Sequence, residues 1–85
     1  MSKIKMLTQD NCAKCVTLKQ FLELGLRNKY ADDIEVVKKE NNPEAFMKLA
    51  LDNDIMATPA LIADGDVLLD VAPSKVTAFL EKHIQ

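Results

Sequence analysis

Two cysteines, spaced Cys12-Ala13-Lys14-Cys15, are the residues of this chain best suited to chemistry. Their closeness argues against a stapling role, because loop-closure stabilisation grows with loop length and this loop is tiny. A reactive or metal-binding pair is the stronger reading. A disulfide is exchanged when a thiolate attacks it to form a mixed disulfide, which a second thiol must then release. Two intervening residues at the start of a helix serve that chemistry. The first sulfur faces solvent at the helix tip, and the second lies about one turn away, close enough to resolve the intermediate. Unpaired N–H groups and the dipole at that tip stabilise Cys12 as thiolate, and Lys14 adds a charge of the right sign. Such motifs commonly bring the thiol pKa down from ~8.5 to about 7 or lower.

Other chemistries compete for the same pair. A structural zinc needs four ligands, and the only further candidate is His83 near the far end, so no zinc site is expected within one copy of the chain. A two-coordinate soft-metal site, or one shared across a dimer, is the rival of a different class: a metal-binding or metal-delivery module. His83 reads most simply as a cation near a helix C-terminus. Thr58-Pro59 is the second feature. A proline before an apolar strand cannot donate to a ladder, and a plain strand start accounts for it. The functional reading is a cis-proline that leaves neighbouring backbone groups free for a peptide partner; proline alone does not decide between the two, and its combination with Cys-X-X-Cys selects the cis-proline near Cys12.

These residues need elements to position them. Residues 3–8 read as a first strand with Ile4, Met6 and Leu7 apolar, and 9–11 as a polar break. From Cys12 the period changes: Leu18, Phe21, Leu22, Gly25 and Leu26 form one helical stripe, with Asn11 or Cys12 near the cap. Residues 28–33 are a polar connection, and 34–39 a second strand centred on Val36 and Val37. Asn41-Asn42-Pro43-Glu44 is a helix start, and Phe46, Leu49 and Ala50 give that helix its buried face until about Asp54. Apolar runs at 60–63 and 67–71 flank Asp64-Gly65-Asp66, a hairpin signal. A third helix follows, capped by Ser74, with Val76, Phe79, Leu80, His83 and Ile84 on one stripe. The order β-α-β-α-β-β-α opens with a βαβ unit and predicts an α/β sheet with helices packed on it.

Size and charge narrow the function. The 85 residues make one domain. With 48% hydrophobic residues and a net charge of −2, general disorder is excluded, and no basic field favours nucleic acid. No apolar run approaches the ~18 residues of a membrane span. The N-terminus carries no signal-peptide apolar region, so residence in the cytoplasm is the default expectation. The dispersed methionines read as core filler, and Lys38-Lys39-Glu40 as a solvated edge.

Taken together, these motifs resemble the thioredoxin superfamily at its small end, over nearly the whole chain from Ile4 to Ile84. The stretch Ile55-Met56-Ala57-Thr58-Pro59-Ala60-Leu61, then Asp64-Gly65 and Pro73-Ser74-Lys75, looks most like the small glutaredoxin-like thioredoxins, also called redox-active disulfide proteins. The resemblance implies a compact thioredoxin fold, a four-stranded mixed sheet with three helices. It implies Cys12 as nucleophile, Cys15 as resolving thiol, Pro59 as a substrate-contacting cis-proline and Thr58 as its backbone-presenting neighbour. Lys14 joins these as a candidate substrate-binding residue. Three departures stand out. The motif is neither Cys-Pro-Tyr-Cys nor Trp-Cys-Gly-Pro-Cys. Val71-Ala72-Pro73-Ser74 replaces the Gly-Gly-acidic segment with which glutaredoxins hold glutathione, and Met6 stands where longer thioredoxins bury an Asp.

The implied activity is thiol–disulfide exchange that reduces protein disulfides, with no cofactor beyond the Cys12–Cys15 couple and no metal. The expected partners are a disulfide-bearing client protein, ribonucleotide reductase being one plausible client, and an electron source. That source is either a flavoprotein of the thioredoxin-reductase type or, in a true glutaredoxin, glutathione. Neither nucleic acid nor membrane is expected as a partner, and the chain is expected to act as a monomer.

Overall fold

The computed structural model describes residues 4–84. Four strands, β1 (Ile4–Thr8), β2 (Ile34–Lys38), β3 (Ala60–Ala63) and β4 (Asp66–Leu68), form one sheet in the order β2-β1-β3-β4. β1 pairs with β2 in parallel, with Met6 opposite Val36, and antiparallel with β3, with Met6 opposite Leu61. Three helices complete the chain: α1 (Ala13–Gln20), α2 (Pro43–Asp52) and α3 (Pro73–Ile84). This is the expected mixed sheet with three helices. Lys3, read as the start of the first strand, lies outside the described residues.

The period-two alternation of the strands builds two cores, one on each face of the sheet. Ile4 and Met6 of β1, with Leu61 and Ala63 of β3, meet Leu18 of α1 and Val76, Phe79 and Leu80 of α3. Leu7, Ala60 and Ile62 point the other way, to Val37, to Phe46 of α2 and to Ile55. Val37 is buried whereas Val36, its neighbour in β2, is exposed. The central strands carry apolar residues on both faces because both faces are covered by helix.

The helix starts follow local chemistry. Asn42 caps α2 by accepting from the Ala45 N–H at 3.3 Å, and Pro43 occupies the first helical position. The Asp64-Gly65 turn joins β3 and β4 as a two-residue hairpin, with Ala63 opposite Asp66. Both turn residues have positive φ, 49° and 81°, which Asp tolerates and Gly adopts freely.

Several boundaries differ from the sequence reading. The first helix is α-helical only to Gln20; residues Phe21–Gly25 form a π turn closed by the Leu26 N–H on the Phe21 carbonyl. Gly25 is exposed, not on a buried stripe. A Cβ there would come within 2.6 Å of the Phe21 ring, so the bare backbone makes room for that ring. β2 ends at Lys38, although the Lys39 N–H still bonds the Thr8 carbonyl at 3.0 Å. α2 ends at Asp52, and β4 ends at Leu68, leaving Leu69 exposed. Ser74 is not the cap of α3. The Val76 N–H bonds the Ala72 carbonyl, so the helix begins at Pro73 and Ser74 lies in its first turn.

Candidate active site

Cys12 sits where β1 has run out of sheet and α1 has not yet begun. Asn11, with φ of 59°, reverses the chain just before it; Asn is among the residues that accept this conformation. Cys12 is then the N-cap residue of α1, in extended conformation, and its sulfur accepts from the Cys15 N–H at 3.2 Å. One otherwise orphaned helix donor is thereby aimed at sulfur. Cys12 is half-buried, while Cys15 is 5% exposed and faces the core. The two are joined as a disulfide with Cα atoms 5.2 Å apart.

The segment before β3 closes the site from the other side. The Thr58–Pro59 peptide bond is cis, the geometry expected from the sequence, and Pro59 is buried. The Thr58 hydroxyl donates to Cys12 Sγ at 3.6 Å, and the Thr58 carbonyl oxygen lies 3.7 Å from the same sulfur. That oxygen is an acceptor for the Cys12 thiol proton when the pair is reduced. The structure therefore brings Cys12, Cys15, Thr58 and Pro59 together. Lys14 is different: it is exposed, and among the described residues it makes no hydrogen bond or ion pair. Its positive charge is felt at Asp70, in the connection between β4 and α3.

One residue at the site, and one outside it that feels the charge of Lys14, went unnoticed in the sequence. The Gln9 side-chain amide donates to Thr58 Oγ1 at 3.0 Å, across a sequence separation of 49. Read along the chain, Gln9 is part of a polar break, and no spacing rule joins it to Thr58. Asp70 is the other. Its carboxylate accepts from the Ala72 N–H at 3.2 Å and pairs with Lys75 at 3.2 Å. That backbone bond first, and Lys75 second, hold its carboxyl below the usual range.

Asp10 lies two residues before Cys12, where its negative charge would oppose a thiolate. Lys38 answers it at 2.8 Å, and Asp10 correspondingly raises the Lys38 pKa, by hydrogen bond and then by charge. Asp10 is thus a solvent-facing carboxylate engaged with Lys38. Met6 is 2% exposed and lines, with both cysteines, a cleft of about 390 Å³ that runs toward β2. No carboxylate takes the place of that methionine. Among the described residues no group of three or more His, Cys, Asp or Glu side chains is arranged to hold a metal ion.

Chemically, this is a sulfur pair with an accessible outer member and a buried inner one. The outer sulfur has two hydrogen-bond donors directed at it, one from the helix tip and one from Thr58. A scan against protein-family models finds no match, and a search of the curated proteins finds none either. Among solved structures, the chain is similar to the crystal structure of a mutant of the thioredoxin-like protein BC3987. The two share 29% identity and superpose with a TM-score of 0.72, over 92% of this chain and 99% of that one.

Proposed function

Because this chain belongs to the thioredoxin-like superfamily, we propose that it is a protein-disulfide reductase. Thioredoxin-like architecture and a close Cys pair are compatible with redox work. The observation that carries the finer reading is the asymmetry at the helix tip. Cys12 is half-exposed and receives donors, whereas Cys15 is buried behind it. In each cycle the Cys12 thiolate attacks one sulfur of the client disulfide. The client S–S bond breaks, its other sulfur leaves as a thiolate and takes up a proton, and a Cys12–client mixed disulfide forms. Cys15 then loses its proton and attacks Cys12 Sγ. The Cys12–Cys15 bond forms, and the client's second thiolate departs and is protonated. Two electrons pass to the client; of the two protons its thiols gain, one is matched by the proton Cys15 loses and the other is drawn from solvent, and an upstream dithiol or flavoprotein reductase restores the reduced pair. This direction of flow fits a reducing compartment such as the cytoplasm. The client of this cycle is a disulfide-bearing protein engaged at the cleft beside Cys12 and at the backbone flanking Pro59.

Glutathione is a poor fit as electron source. Its capture needs donors beside the active cysteine. In the connection after β4, the Ala72 N–H is already spent on Asp70, and Pro73 has no N–H. Each missing charge-assisted hydrogen bond is worth about 1.5–3 kcal/mol, so two losses leave a weak ligand. Coupled turnover of a protein disulfide is therefore expected to run well with a flavoprotein reductase or dithiothreitol and poorly with glutathione. Saturable turnover with glutathione as sole reductant would make the protein a true glutaredoxin. Tight binding of a soft metal by the reduced protein, with no turnover from any donor, would favour the metal-delivery reading.

A further inference from the structure

We propose that Gln9 is a positioning residue for Cys12, acting through the hydroxyl of Thr58. The geometry is a chain of two hydrogen bonds: Gln9 Nε2 donates to Thr58 Oγ1 at 3.0 Å, and Thr58 Oγ1 donates to Cys12 Sγ at 3.6 Å. A threonine hydroxyl has a single proton and can rotate it to several acceptors. One competing acceptor is always at hand, because water reaches this half-buried site. With the Gln9 amide occupying a lone pair of Oγ1, the hydroxyl proton is left to point at the sulfur. Donation toward sulfur favours its charged form. Gln9 can do this because of where the sheet ends. β1 stops at Thr8, whose carbonyl is bonded by the Lys39 N–H, so the next residue leaves the ladder at the level of the cis-proline segment. Gln9 also borders both grooves that meet at the site, the cleft beside Cys12 and a second, about 340 Å³, toward Met47, Leu51 and Met56 of the α2 side.

A neutral amide is suited to this place. A carboxylate at position 9 could only accept, so it would turn the Thr58 proton away from the sulfur and add a negative charge nearby. The inference rests on the proposed thiol chemistry, yet its test needs only a titrating thiol. With Cys15→Ser as the common background, the pH dependence of Cys12 alkylation gives its pKa. Thr58→Val is expected to raise that pKa by about one unit, and Gln9→Met, which keeps the length and loses the amide, by about half a unit. Gln9→Glu is expected to raise it further than Gln9→Met. In a Thr58→Val background, Gln9→Met is expected to change nothing more, because the group through which it acts is gone. An unshifted pKa in Gln9→Met, or an equal shift with and without the Thr58 hydroxyl, would overturn the inference and leave the reductase reading standing. Conversely, the expected pKa order in a protein that turns over no disulfide would sink the reductase reading and leave the relay intact.

Discussion

The tip of α1, at the end of the central strand β1, and the junction of the last turn of α3 with the edge strand β4 both bring a helix end against the sheet, yet they dispose of their polar groups in opposite ways. At the α1 tip, a backbone N–H and the Thr58 hydroxyl point at a half-exposed sulfur. At the β4–α3 junction the groups are used up on one another. Asp66, on the strand after the hairpin turn, receives Lys82 and His83 from the last turn of α3, each at 3.1 Å. The His83 side chain is 10% exposed, and its ring packs against Phe79 in a tilted arrangement, with centroids 4.6 Å apart and the planes at 54°. The clamp ties α3 to the sheet and leaves nothing to react. Reactivity here comes from donors directed at an exchangeable atom, and stability from donors matched to a permanent partner.

The strongest test of this division acts at the reactive end. Cys12→Ser is expected to reduce turnover of a protein disulfide to background, because the nucleophile is gone, while leaving the denaturation midpoint of the reduced protein nearly unchanged. Cys15→Ser is expected to attack still and to accumulate a mixed disulfide on Cys12, visible by mass after acid quenching. An intermediate found on Cys15 would reverse the assignment.

The next effect belongs to the core beneath the clamp. Leu80 is fully buried among residues of α1, α3, β1 and β3. Leu80→Ala is expected to lower stability in a urea titration by about 2–5 kcal/mol, from lost transfer energy and the cavity left behind. The pH profile of Cys12 alkylation should stay where it was. A displaced profile would show that the two ends are mechanically one.

The smallest effect is that of the clamp itself. His83 first, then Lys82, hold the Asp66 carboxyl below its ordinary range by hydrogen bonding. A carboxyl whose pKa is depressed on folding stabilises the protein above its unfolded pKa, and that contribution disappears as pH falls through the folded one. Asp66→Asn is therefore expected to be modestly less stable than the natural chain at neutral pH. The gap should close on acidification through and below the carboxylate range, as measured by thermal unfolding across pH. The group is open to water, which keeps the effect small. A gap independent of pH would mean that the carboxylate charge is not what the clamp uses.

How much of this could be read in one dimension follows from the range of the forces involved. The sequence by itself determined the elements whose cause is local. These are the Asn42-Pro43 start of α2, the Asp64-Gly65 hairpin, the existence of β1 around Ile4, Met6 and Leu7, and the placement of Cys12 at a helix tip one turn from Cys15. Caps, turns and periodicity act over a few residues, so the residue types there carry the answer. Tertiary structure alone decided the rest. The π turn at Phe21–Gly25 depends on how the Phe21 ring finds its place beside a residue with no Cβ. The early end of β4 and the start of α3 at Pro73 depend on Asp70 taking the Ala72 N–H. The Gln9–Thr58–Cys12 chain exists only because β1 and the segment before β3 end side by side. A hydrogen bond is directional and reaches about 3 Å, so residues far apart in sequence acquire it only after the sheet has set their positions.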